Sequence, residues 1–136
     1  MGLEDNKKIM DVFTGTKIYK IPPYQRDYSW KKSQIEDFWN DAESFFDSGD
    51  DSYFFGPVVF VEEPKKNFIS IVDGQQRLTT LQLLICVIRD ILHSNKEFGK
   101  STKCDAYLET RVEEDPALQL NNNNNPYFTK FALKVD

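Results

Sequence analysis

The chain has 136 residues, 40% hydrophobic and 14% aromatic, which is enough apolar surface for one domain with a core and too much for wholesale disorder. Lys and Arg number 17 against 22 Asp and Glu, a net charge of -5 that argues against a duplex-coating surface, because phosphate neutralisation dominates non-specific DNA affinity. No run approaches the roughly 18 uninterrupted apolar residues of a membrane span, and residues 1–10 carry no apolar signal core.

In chain order, residues 6–13 read as a short helix with Ile9, Met10, Val12 and Phe13 apolar, stopped by Gly15. Residues 17–21 alternate polar and apolar, a strand pattern. Pro22-Pro23 ends it, because proline fixes φ and holds the preceding residue extended. Ser33 and Glu36 carry the capping-box signature. Ile35, Phe38, Trp39, Ala42, Phe45 and Phe46 then recur at helical spacing on one face until residues 48–51 break the pattern. Residues 53–61 and 68–72 read as two strands of an antiparallel hairpin, turned at 64–67 and closed by Asp73-Gly74.

Residues 78–92 form a second long helical pattern. Leu81, Leu84, Ile85, Ile88 and Ile91 make the stripe and Leu83, Cys86 and Val87 widen it, which predicts burial on most sides. Residues 94–103 read as an exposed connection, and 106–113 fit a strand or a short helix equally. Residues 121–125 are an Asn run, read as flexible. Residues 126–136 regain apolar content without a cap or polar tail, as in a cut through a longer protein. The whole is expected to be one domain, with residues 6–92 as its best-defined part and 94–136 less so. Cys86 and Cys104 form neither a disulfide framework nor a metal-spaced pair, and the single His93 has no ligand cluster. A reducing, cytoplasmic setting is therefore expected.

Two segments carry chemistry. In the second, 71–81, a strand runs into Asp73-Gly74 and a helix begins within a few residues. Gly74 permits positive φ, and free N–H groups at a helix start favour an anion. Arg77 lies in or near the first turn, where the dipole prefers acids, and its fork fits phosphate bidentately. Gln75, Gln76, Thr79 and Thr80 add amide and hydroxyl groups, so the segment can form a phosphate cradle. Asp73 could orient Arg77 or hold a Mg²⁺ ion that bridges phosphates. Against this, Asp-Gly is ordinary turn chemistry and an Arg after it can pair with a neighbouring carboxylate. In the first segment, 21–30, Gln25 and Arg26 follow the stiff diproline, between Tyr24, Tyr28 and Trp30. Aromatic rings there can stack on a base or simply seal the core. An Arg on such a turn is costly to bury without an anionic partner.

Ile-Pro-x-Tyr-Gln-Arg-x-Tyr-x-Trp over residues 21–30, Phe55-Gly56, and Val-Asp-Gly-Gln-Gln-Arg-Leu-Thr-Thr-Leu over 72–81 together resemble the N-terminal domain of GmrSD-type, modification-dependent restriction endonucleases. The resemblance covers about residues 9–92, with a weaker likeness at 130–136. It implies a ParB/sulfiredoxin-like α/β (α+β) domain: a small mixed sheet with packed helices. It also implies a nucleoside triphosphate as ligand or substrate, a role in phage defence, and a separate HNH-type nuclease domain as partner. DNA would be engaged through the full-length protein. On this reading Gly74 to Arg77, Thr79, Thr80, Gln25, Tyr24 and Trp30 contact the nucleotide. Arg26 neutralises charge developing in phosphoryl transfer, and Asp73 holds Mg²⁺ or orients water. The alternative is a non-catalytic module that senses a nucleotide or docks DNA or a partner. Nuclease activity in this chain itself is not expected, since no His-Asn-His signature is present.

Overall fold

The computed structural model describes residues 12–14, 17–23, 25–49, 56–62, 67–109, 116–121 and 124–133. Of the expected first helix, Val12 and Phe13 are helical and buried, and the rest lies outside the described residues. Strand β1 (Ile18–Lys20) is the predicted short strand. Its Tyr19 ring lies 4.8 Å from that of Phe60 and 6.3 Å from that of Phe13, which ties the strand to the core.

Helix α1 (Lys32–Ser48) carries the expected amphipathic pattern and ends at Gly49, whose φ of 76° is the left-handed conformation common after a helix. Its start is two residues earlier than the sequence suggests, with Lys31 rather than Ser33 at the N-cap. The Lys31 backbone N–H donates to Gln34 Oε1 at 2.8 Å, so Gln34, not Glu36, closes the first turn, and Ser33 lies inside the helix. None of its residues is buried.

Strands β2 (Val59–Glu62) and β3 (Phe68–Asp73) form the predicted antiparallel hairpin, with a register shift between Val59 and Phe60. However, β2 is shorter than the expected 53–61: residues 56–58 are not strand, and 53–55 and most of the turn at 64–67 lie outside the described residues. Helix α2 (Gln75–Ser94) follows after a single residue. Gly74 adopts φ 89°, which turns the chain from strand to helix without a linker, so α2 starts three residues before its apolar pattern does. Leu78 and Ile71, both 0% exposed, seat this junction in the core.

The later chain departs from expectation. Residues read as a connection contain helix α3 (Phe98–Asp105), packed on α2. Strand β4 (Leu118–Gln119) has only two residues, too few for any periodicity, and pairs with β1 at the edge of the sheet. A turn of helix α4 (Asn125–Tyr127) runs into a π-turn, Phe128–Ala132. Helix α2 is not buried on most sides: Val87, Ile88 and Ile91 are 53%, 43% and 55% exposed, and only its first half and one later flank are covered.

The sheet order is β2-β3-β1-β4, with β1 parallel to both neighbours and β2 antiparallel to β3. This is the expected α+β architecture, a four-stranded mixed sheet with helices packed on it. One cluster joins Phe13, Tyr19, Ile21, Ile71, Leu78, Leu118 and Phe128 across the sheet; a smaller one holds Ile85, Cys86 and Leu108 between α2 and the segment after α3. No described helix is long and apolar enough to cross a membrane.

Candidate functional site

The two motif segments meet at the first two turns of α2. Gln76 and Thr80 are four residues apart and so share one face of the helix, which is turned toward residues 27–29. Gln76 is buried. Its Oε1 accepts the Ser29 N–H at 2.8 Å, and its Nε2 donates to the Asp27 carbonyl at 3.1 Å. Thr80 Oγ1 donates to the Gln76 carbonyl at 2.8 Å, so the Tyr28 hydroxyl, 2.9 Å away, is the donor to Thr80. Thr79 Oγ1 likewise donates to the Gln75 carbonyl at 2.8 Å. Gln76 and Thr80, expected as ligand contacts, thus use their polar groups to join the two motifs, while the Thr79 hydroxyl, also expected at a ligand, is bonded within its own helix.

The opposite side of residues 25–29 is held from the Asn run. Asn121 is 4% exposed. Its Nδ2 donates to Asp27 Oδ1 at 2.6 Å and to the Gln25 carbonyl at 3.3 Å, and its Oδ1 accepts the Asn124 N–H at 3.0 Å. Asn124 Oδ1 accepts the Tyr28 N–H at 2.7 Å, and Asn125 Oδ1 accepts the Leu120 N–H at 3.1 Å. The sequence reading missed these residues altogether. Nothing in a homopolymer run marks which Asn is buried, and its composition points to a loop.

Between these supports lies a small half-open cleft with an empty volume of about 190 Å³, part of it open to solvent. Ile21 and Leu120 form its apolar wall; Arg26, Tyr28, Gln76, Thr79, Asn121 and Asn124 supply its polar groups. Most of that volume is open solvent, and the enclosed part is about the size of one water molecule, so the cleft is a shallow, polar surface feature. Arg26 is exposed at this cleft and has no hydrogen-bond or ion-pair partner among the described residues.

The other expected site residues fall elsewhere. Gly74 caps α2, and Asp73 Oδ1 accepts the Gly74 N–H at 3.0 Å. Gln75 is half-buried at the first position of the helix. Arg77 is exposed, lies over Gly56 and does not line the cleft. Gly56 has φ +118°, and a Cβ there would collide with the Arg77 guanidinium. A Cβ on Gly74 would meet Val58 Cγ2 at 3.0 Å and the Pro57 carbonyl at 3.2 Å. The Phe-Gly segment and the Asp-Gly segment therefore need their glycines for one close approach. Trp30 is half-buried, with its ring 6.1 Å from that of Phe38 on α1, and does not line the cleft. Gln25 is half-buried and contributes backbone groups, its N–H donating to the Pro22 carbonyl at 3.0 Å. Tyr24 lies outside the described residues.

Among the described residues no group of three or more His, Cys, Asp or Glu is placed to hold a metal by itself; Asp73, expected to hold Mg²⁺, does not line the cleft, and its Oδ1 accepts the Gly74 N–H. Cys86 and Cys104 are free thiols. Burial pushes Cys86 up to about 11 against the opposing pull of Arg89, and burial also raises Cys104, so neither is a nucleophile near neutral pH. Arg89, 1% exposed, is a second residue that sequence reading missed. Its guanidinium donates to the carbonyls of Ala132 at 2.7 Å and Leu133 at 2.8 Å and pairs with Asp90 at 2.9 Å, fastening the C-terminal turn to α2.

A family model described as GmrSD restriction endonuclease, N-terminal domain, matches residues 9–134. No curated protein matches the chain.

Proposed function

The chain belongs to the family of GmrSD restriction endonuclease N-terminal domains, and from that premise we propose that it serves its restriction system by binding a nucleoside triphosphate. The observation that supports this most is Arg26, exposed at a polar cleft and without a partner among the described residues. A guanidinium so placed is suited to a phosphate oxygen, and the amides and hydroxyls around it supply further hydrogen-bond groups. The bound state would be passed to a separate HNH-type nuclease domain that cuts DNA.

Among the described residues the cleft lining holds no carboxylate or imidazole, so there is no general base in place. This favours a sensor over an enzyme that hydrolyses its nucleotide. No step of the reading passes through a metal ion held by the protein.

The test is thermal unfolding with ATP, GTP, CTP or UTP, each with Mg²⁺, for the wild type and Arg26→Ala. A ligand at about a hundred times its dissociation constant adds roughly 2.7 kcal/mol. The expected result is a raised midpoint with one nucleotide, much smaller in the variant, whose affinity should fall at least about tenfold but stay measurable. No shift with any nucleotide, or an equal shift in Arg26→Ala, overturns the assignment. Phosphate release measured on the same samples separates the sensor from the hydrolase.

A further inference from the structure

Arg26 is bracketed by a single side chain. The Asn121 amide nitrogen has two hydrogens: one goes to the Asp27 carboxylate at 2.6 Å, the other to the Gln25 carbonyl at 3.3 Å. These are the residues immediately before and after Arg26. The remaining oxygen of Asn121 accepts the Asn124 N–H, and Asn124 in turn accepts the Tyr28 N–H at 2.7 Å. Gln76 closes the other side through Ser29 and Asp27. Three amide side chains from two distant stretches thus fix the backbone on both sides of the arginine, and Asn121 itself is 4% exposed.

We propose that Asn121 is a positioning residue for Arg26. It holds residues 25–27 so that the guanidinium is presented at the cleft before any ligand arrives. The inference rests on the reading of the cleft as a nucleotide site and deepens it. The C-terminal part of the domain sets the geometry of the N-terminal motif. Preorganisation of this kind lowers the ordering cost of binding, because an unclamped arginine would have to be immobilised with each ligand.

A double-mutant cycle on the whole chain tests this, with affinity for ATP, GTP, CTP and UTP, each with Mg²⁺, as the readout. Asn121→Ala is expected to weaken binding about tenfold, and to cost less than about twofold when Arg26 is already Ala. The exchanged pair Asp27→Asn with Asn121→Asp reverses donor and acceptor between positions 27 and 121 but cannot restore the donation to the Gln25 carbonyl, so it should recover part of the loss. Asn121→Asp alone sets two carboxylates together and should be worse than Ala. Equal losses in both Arg26 backgrounds, or no recovery in the exchanged pair, overturn the positioning role while leaving the nucleotide reading intact. A wild type that binds none of the four overturns the nucleotide reading itself. In that case amide exchange still reads the clamp. Asn121→Ala should speed exchange at Tyr28 and Ser29 and leave Ile85 and Cys86 unchanged; unaltered rates at Tyr28 and Ser29 dispose of the clamp as well.

Discussion

The first half of α2 and the whole of α1 are both amphipathic helices, and they end in opposite surroundings. On α2, Gln76, Leu78, Thr79, Thr80 and Gln82 are all buried, four of them polar. On α1, nothing is buried, and Ile35, Trp39 and Phe46 are 41%, 48% and 86% exposed. An apolar stripe says which face of a helix seeks cover; it does not say that cover is present. What draws the start of α2 inward is its place between the sheet and residues 25–29, where its polar side chains have backbone partners. The second half of α2 resembles α1 more than it resembles its own beginning, with Val87, Ile88 and Ile91 exposed.

The strongest way to break this contrast is Leu78→Ala. Leu78 is 0% exposed at the strand-to-helix junction, and the truncation should cost about 2–5 kcal/mol in urea unfolding. A loss below about 1 kcal/mol would mean that the junction is no better packed than the outer helices.

Cys86 sharpens the boundary between the two halves of α2. Its thiol is raised by burial from 9.0 to about 11. Below pH 9 both folded and unfolded chains carry the proton. Between 9.0 and about 11 the unfolded chain releases it first, so this group's contribution to stability falls as pH rises through that window. The fall should be on the order of 2 kcal/mol in the wild type and missing in Cys86→Ala, read as the difference between their unfolding free energies at pH 8 and pH 11. Parallel curves would place Cys86 in contact with water.

The smallest effect is expected at Phe46→Ser on α1. A side chain 86% exposed has little burial to lose, and unfolding free energy should stay within about 0.5 kcal/mol of wild type. A larger loss would show that the face of α1 is covered in solution.

Long patterns were legible in the sequence. The spacing of α1, the hairpin β2–β3 and the Gly74 entry to α2 all follow from periodicity and turn chemistry. Helix α3 was not, because its eight residues, Phe-Gly-Lys-Ser-Thr-Lys-Cys-Asp, contain no apolar repeat and only Ser101 is buried; packing on α2 makes the helix. Strand β4 owes its existence to parallel pairing with β1, which no local signal announces. At the candidate site, the two motif segments do meet in space, but their residue types did not show which side chains hydrogen-bond to one another. Gln76 and Thr80 look like ligand groups and serve as fasteners; Asn121 looks like spacer and brackets the arginine. Hydrogen-bond partners far apart in sequence decide such roles, and residue type alone does not encode them.

The central position of β1 has a consequence for how the molecule is born. Tyr19 pairs with Leu118, and the Tyr19 N–H donates to the Ala117 carbonyl at 2.9 Å. A ribosome working at about 5–20 residues per second needs some 5–20 s to cover the roughly hundred residues between those partners. Throughout that interval one edge of β1 is open, and the buried amide that brackets Arg26 has not been made. The cleft is therefore a late product of translation, and a nascent chain carrying both motifs in full is still unable to present its arginine.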